Sequence, residues 1–194
     1  YSGVSRELCA QLAAFLNAGI TPVVPALGSV GASGDLTPMS YVAAALAGER
    51  EVFFQERRVP AAVALREAGL APHRFQPKEP LAMINGTAVM TGAAVLAVVR
   101  AGRLLASATA ATALSVHALA GHAHHFSPLI FTAKPFPGMV ASAARLRELL
   151  RAQADVEEAS TQEALQDPYS LRCAPHVLGV LGDALAWVER WIEL

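Results

Sequence analysis

Leu81-Ala-Met-Ile-Asn-Gly-Thr-Ala-Val-Met-Thr-Gly-Ala-Ala-Val-Leu-Ala-Val-Val99 runs without a charged side chain. Its length approaches that of a membrane span. Asn85, Gly86, Thr87, Thr91 and Gly92 interrupt it, and Arg100 and Arg103 follow within a turn. Leu104–Ala133 then resumes the apolar pattern with four histidines. These polar groups argue against a bilayer. A helix from Gly86 to about Ala120 with Ala, Val, Leu and Thr on every side is expected to be buried all round. No Asp or Glu occurs between Glu79 and Glu148. The chain has 194 residues, 54% hydrophobic and 16% charged, with a net charge of −1. Ordinary soluble domains carry about 25% charged residues. Alanine, roughly one residue in five, favours helix. This composition excludes disorder. The balanced charge, with no Lys/Arg run, excludes a basic nucleic-acid surface. A buried core or a subunit hidden in an oligomer fits best.

Outward from that helix, the rest also reads as helical. Ser5 to Gly19 places Leu8, Leu12, Phe15 and Leu16 on one face. Thr37 before Pro38 has the form of an N-cap with proline at the first helical position, opening a helix to Ala47. Glu51–Phe54 and Arg57–Val59 suggest a short hairpin around Gln55-Glu56, and Pro60–Ala68 a short helix stopped by Gly69. Residues 70–80 read as a connector, and Pro128–Gly138 as an extended loop. Met139–Ala154 reads as a helix followed by an acidic stretch, Asp155–Glu158. Gln166–Ser170 reads as a loop, and Pro175 to Ile192 as a closing helix. The fold class is mostly α, a bundle of long helices with at most a small β-hairpin.

Gly28-Ser-Val-Gly-Ala-Ser-Gly-Asp-Leu-Thr-Pro38 is the chemical signal. It lacks the Gly-Lys-Ser/Thr of a phosphate-binding loop, and its glycine spacing is not that of a dinucleotide fingerprint. It also lacks the second glycine of a hydrolase elbow. A connector of small residues is one reading. The other is backbone chemistry. The Gly34 amide nitrogen, unobstructed by a side chain, can close on the Ala32 carbonyl in a tight turn. Loss of that water and of a second from Ser33 leaves a ring with an exocyclic methylidene. Such a group is an electrophile that no ordinary side chain supplies.

The segment Gly28–Ser40 resembles the signature of the aromatic amino acid ammonia-lyase family, which includes histidine, phenylalanine and tyrosine ammonia-lyases and related aminomutases. Lys78-Glu-Pro-Leu-Ala-Met-Ile-Asn-Gly-Thr87 and Gln166-Asp-Pro-Tyr-Ser-Leu-Arg-Cys173 extend the resemblance over essentially the whole chain. It implies the helical fold of the ammonia-lyase and fumarase/aspartase-like superfamily. It implies a self-formed 4-methylideneimidazol-5-one (MIO) group from Ala32, Ser33 and Gly34, with Asp35 assisting ring formation. It implies that Asn85 contacts that group and the substrate region. Gln166, Tyr169 and Arg172 match the family's loop trio, in which the arginine pairs with the substrate carboxylate and the other two order the site. A planar guanidinium suits that pairing. Taken singly, Asn85 could cap the helix after it, Asp35 could be a charge near a helix N-terminus, Arg172 an ordinary ion-pair partner and Tyr169 a loop aromatic. The reaction implied is elimination of ammonia from an aromatic L-amino acid, giving an α,β-unsaturated acid. Histidine is the first-choice substrate; phenylalanine or tyrosine, and the aminomutase reaction, are alternatives. A non-catalytic helical scaffold is the reading of another class.

The resemblance also implies a homotetramer whose subunits share active sites, with a small amino acid as ligand and no nucleic acid, membrane or metal. Residues 1–194 match the central helical part of the family. The family's upstream tyrosine base and downstream acidic residue have no counterpart, so the chain is expected to be an internal fragment without turnover alone. Pro80, Ala88, Phe136, Met139 and His176 depart from the family's usual residues and bear on substrate choice. His122 and His125 could share a helix face, but no carboxylate or cysteine nearby in sequence completes a metal site. Cys9 and Cys173 are expected to be reduced thiols of a cytoplasmic enzyme. The start of the chain carries no signal-peptide pattern.

Overall fold

The computed structural model describes residues 3–29, 33–151 and 166–193. Ala32, the acidic stretch Asp155–Glu158 and the last residues of the Met139–Ala154 helix lie outside them. The chain divides into two compact units, Tyr1–Ala93 and Ala94–Leu194.

In the first unit, α1 (Arg6–Asn17) opens as its sequence dictates: the Ser5 hydroxyl accepts the Leu8 N–H at 3.0 Å, an N-cap bond. Strand β1 (Thr21–Pro22) and α2 (Leu36–Leu46) follow, then β2 (Glu51–Phe54), β3 (Arg57–Pro60) and α3 (Ala61–Glu67). The expected hairpin forms, with Gln55 and Glu56 both left-handed (φ 48° and 59°), the backbone of a two-residue turn that matches strand twist. The pairing of β1 with β2 makes it a three-stranded antiparallel sheet, one strand more than expected. Val52 and Phe54 point from β2 into a core with Leu8, Phe15, Leu46 and Leu65.

The expected connector ends in helix α4 (Glu79–Ile84). Glu79 is buried at its start and gathers the unit's ends. Its Oε1 accepts the Ser5 N–H at 3.0 Å and the Ser5 hydroxyl. Its Oε2 accepts the Gln76 N–H at 2.9 Å and faces His73 Nε2 at 3.1 Å. The Ser5 hydroxyl first, then the Gln76 amide and His73, hold the carboxyl down at about 2 against burial.

The long apolar helix is α5 (Ala88–Ala118), two residues shorter than expected at each end. It is long and apolar enough to cross a membrane. The expectation that it is buried all round does not hold within this chain. Only Thr109, Ala113 and Val116 are buried along it, and Leu96 and Leu104 are 60% and 64% exposed. An all-apolar surface tells that a helix needs cover, not that the same chain supplies it.

In the second unit a 3-10 turn (Ala123–Phe126) follows α5. The expected extended loop then contains a short helix, α6 (Pro128–Thr132), because Ser127 caps it and Pro128 fits its first position. Helices α7 (Pro137–Arg151), α8 (Tyr169–Arg172) and α9 (Ala174–Glu193) complete the unit. Where α7 meets α9, a Cβ on Gly179 would lie 2.6 Å from Met139 Cα. Glycine is what permits this backbone-to-backbone approach. Phe126, Leu146 and Leu171 pack with Ala113 and Val116 as this unit's core.

Candidate active site

Ser33 is half-buried and Gly34 exposed. The Ser29 hydroxyl donates to the Gly34 carbonyl, bridging the Gly-rich loop across five residues. Asp35 is buried and holds the loop's other side. Its carboxylate accepts the N–H groups of Val89 (2.8 Å) and Met90 (3.1 Å). Those are orphan donors in the first turn of α5, where a negative charge is favoured. Asp35 therefore caps a helix more than fifty residues on, while at the N-cap position of α2 it bonds only through its backbone carbonyl, which accepts the Met39 N–H at 3.0 Å. The expected Thr37 cap is corrected by the same geometry: α2 begins at Leu36 and Thr37 lies inside it.

Nor does Asn85 cap α5. It ends α4, with its N–H on the Leu81 carbonyl at 3.0 Å, and is exposed. Gly34, Asp35, Tyr41 and Met90 line a cleft of about 510 Å³. Asn85 lines a separate cleft with Lys78, Leu81 and Gly3. Thus Ser33, Gly34, Asp35 and Asn85 belong to the first unit, and the loop and the asparagine open onto different clefts.

The trio lies in the second unit. Gln166 and Tyr169 are exposed, and Tyr169 begins α8 rather than continuing a loop. Arg172 stacks its guanidinium over the Tyr169 ring at 5.1 Å, a cation–π arrangement. Arg172 Nε is buried without a hydrogen-bond partner among the described residues. The ordinary ion-pair reading of Arg172 thus finds no support there. A buried guanidinium nitrogen left unbonded is costly, and a carboxylate is the acceptor that suits it.

Sequence reading missed one constellation. Asp167, buried, accepts the His122 N–H at 2.7 Å through Oδ2 and faces His122 Nδ1 at 2.9 Å through Oδ1. Its own N–H donates to His125 Nε2 at 3.3 Å. The expectation of no carboxylate beside these histidines is corrected: Asp167 comes from 45 residues away in sequence. Burial pushes its carboxyl up, but the side-chain and backbone bonds from His122 outweigh this and hold it low. Burial, then the neighbouring His124, lowers His125.

A mostly helical fold, a Gly-rich loop tied by Ser29 and Asp35, and an arginine with a buried Nε define a class. The model of the family described as Aromatic amino acid lyase matches residues 1–194, and the chain belongs to that family. It is 44% identical over all 194 residues to a histidine ammonia-lyase of Geobacillus kaustophilus, and 43% identical over 190 residues to one of Sorangium cellulosum. It spans 38% and 37% of those relatives' lengths. Among solved structures, the histidine ammonia-lyase of Trypanosoma cruzi matches with a TM-score of 0.81 at 34% identity, over 96% of this chain and 34% of that one. The phenylalanine aminomutase of Pantoea agglomerans matches with a TM-score of 0.84 at 29% identity, over 98% and 40%.

Proposed function

We propose that this protein acts as an MIO-dependent ammonia-lyase on an aromatic L-amino acid, histidine first, releasing ammonia and an α,β-unsaturated acid. The observation that carries the reading is the buried Nε of Arg172, which has no hydrogen-bond partner among the described residues, in a chain the family model matches over residues 1–194. The histidine preference rests on the curated relatives, which are named histidine ammonia-lyases.

Ser33 and Gly34 fit the prosthetic group: among the described residues nothing lies nearer than 3.5 Å to where a Cβ on Gly34 would stand, and Ser29 and Asp35 are both tied by hydrogen bonds. Once formed from Ala32, Ser33 and Gly34, the group would supply an electrophile that makes the amino-acid substrate's β-proton removable. The chain's own residues do the rest. Asp35, fixed on the first turn of α5, holds the Gly34 backbone in place and keeps a negative charge at the loop base. Arg172 binds the substrate carboxylate through its planar fork, with Tyr169 fixing the guanidinium plane and Gln166 lining its approach. Asn85 is assigned to the substrate region.

The exposed apolar side chains of α5 support a homo-oligomer, a tetramer in this proposal, that covers them. The two free cysteines support a reducing, cytoplasmic location. The aminomutase reaction is the second reading, favoured by the likeness to the Pantoea agglomerans enzyme. Incubating the intact protein with L-histidine, L-phenylalanine and L-tyrosine decides between them. An arylacrylate from histidine supports the proposal, a β-amino acid the mutase, and neither product the scaffold.

A further inference from the structure

Three imidazoles and a buried carboxylate meet at the end of α5. His122 caps a 3-10 turn and His125 lies within it, and three residues per turn put positions three apart on one side. Ring centroids of His122, His124 and His125 lie 4.2–5.9 Å apart. The donor atoms of His122, His125 and Asp167 all lie within 4.8 Å of one another. His122 and His125 side chains are 23% and 12% exposed, and that of Asp167 3%. An ion would therefore have an entry side and a closed base. Asp167 reaches its place because residue 121 is glycine: a Cβ there would stand 2.9 Å from its Oδ2.

We infer that His122 Nδ1, His125 Nε2 and the Asp167 carboxylate form a binding site for a divalent transition-metal ion. Two imidazole nitrogens and one carboxylate suit Zn(II), Co(II) or Ni(II), whereas Mg(II) and Ca(II) call for oxygen-rich sets. Binding at His122 Nδ1 requires the neutral ring to carry its proton on Nε2, so the Nδ1 lone pair turns from the Asp167 side to the metal, as the His125 Nε2 lone pair turns from the Asp167 N–H. Water, or His124 from the same turn, fills the remaining positions. Neutral imidazole is the ligand form. The ion would clamp Asp167, at the entry to α8, onto the turn that follows α5. The elimination chemistry does not need it, and the inference stands whichever amino acid is the substrate.

The test is Co(II) titration of the intact, chelator-treated protein, followed by visible absorption. Saturable uptake of one Co(II) per chain, with ligand-field bands and no sulfur-to-cobalt charge transfer, is expected. The His125→Ala variant should bind at least about tenfold more weakly, since even outer-shell losses cost that much. No saturable uptake, a sulfur charge-transfer band, or equal affinity in His125→Ala overturns the inference. If that variant does not fold, histidine side-chain NMR of the unmutated protein with Zn(II) replaces it. Shifts confined to His122, His125 and their turn support the site; shifts elsewhere alone contradict it.

Discussion

Arg172 carries a buried guanidinium nitrogen with no hydrogen-bond partner among the described residues, while its plane rests on Tyr169. A lysine there keeps the charge but loses the fork. Arg172→Lys should lower kcat/KM by about tenfold, mainly through KM, in line with about 1.5–3 kcal/mol for a charge-assisted bond. Steady-state kinetics with L-histidine check this, and an unchanged KM speaks against carboxylate binding there. Glu79 makes a pH prediction. Hydrogen bonds from Ser5, Gln76 and His73 hold its carboxyl down at about 2, below the ordinary 4.5. The ionised group thus favours folding above about 4.5, and that contribution is lost as pH falls toward 2. Thermal unfolding should show a falling midpoint across that window, flattened in Glu79→Gln. Ala120, at φ 48°, takes the left-handed position just past the end of α5, a conformation that costs a residue with a Cβ. Ala120→Gly should stabilise by about 1 kcal/mol in chemical denaturation, relieving that conformation.

At the scale of elements, apolar periodicity and caps made α1, the hairpin, α3, α5 and α9 legible within a few residues. Local signals failed where a distant residue supplied the partner. Asp35 reads as a cap for the helix beside it, yet bonds the first turn of α5. Asn85 reads as that cap, yet ends α4. Asp167 belongs to a recognised motif, but its pairing with His122 spans 45 residues and leaves no periodic trace. The Gly-rich loop, by contrast, carries its motif in adjacent residues, and the family that motif suggests is the one whose model matches the chain. Asp35→Ala should therefore lower stability by about 1–2 kcal/mol in denaturant unfolding, the cost of a lost helix cap. Gly179→Ala should cost about 1–3 kcal/mol, since the α7–α9 crossing has no room for a methyl group.

At the scale of the whole molecule, the charge-free stretch from Leu81 to Val99 acquires a sharper meaning. It runs from α4 into the start of α5, whose Met90, Val95, Leu96 and Val99 remain exposed within this chain. Sedimentation of the intact protein should show a homo-oligomer; a monomer would leave that apolar face uncovered. The central claim is that Ala32, Ser33 and Gly34 close into an electrophile within this fold. Intact mass of the full protein, with peptide mapping, tests it most directly. The account predicts a deficit of two water masses confined to the peptide containing Ala32–Gly34, and lost in Ser33→Ala. An undehydrated peptide in the correctly folded, full protein would contradict it.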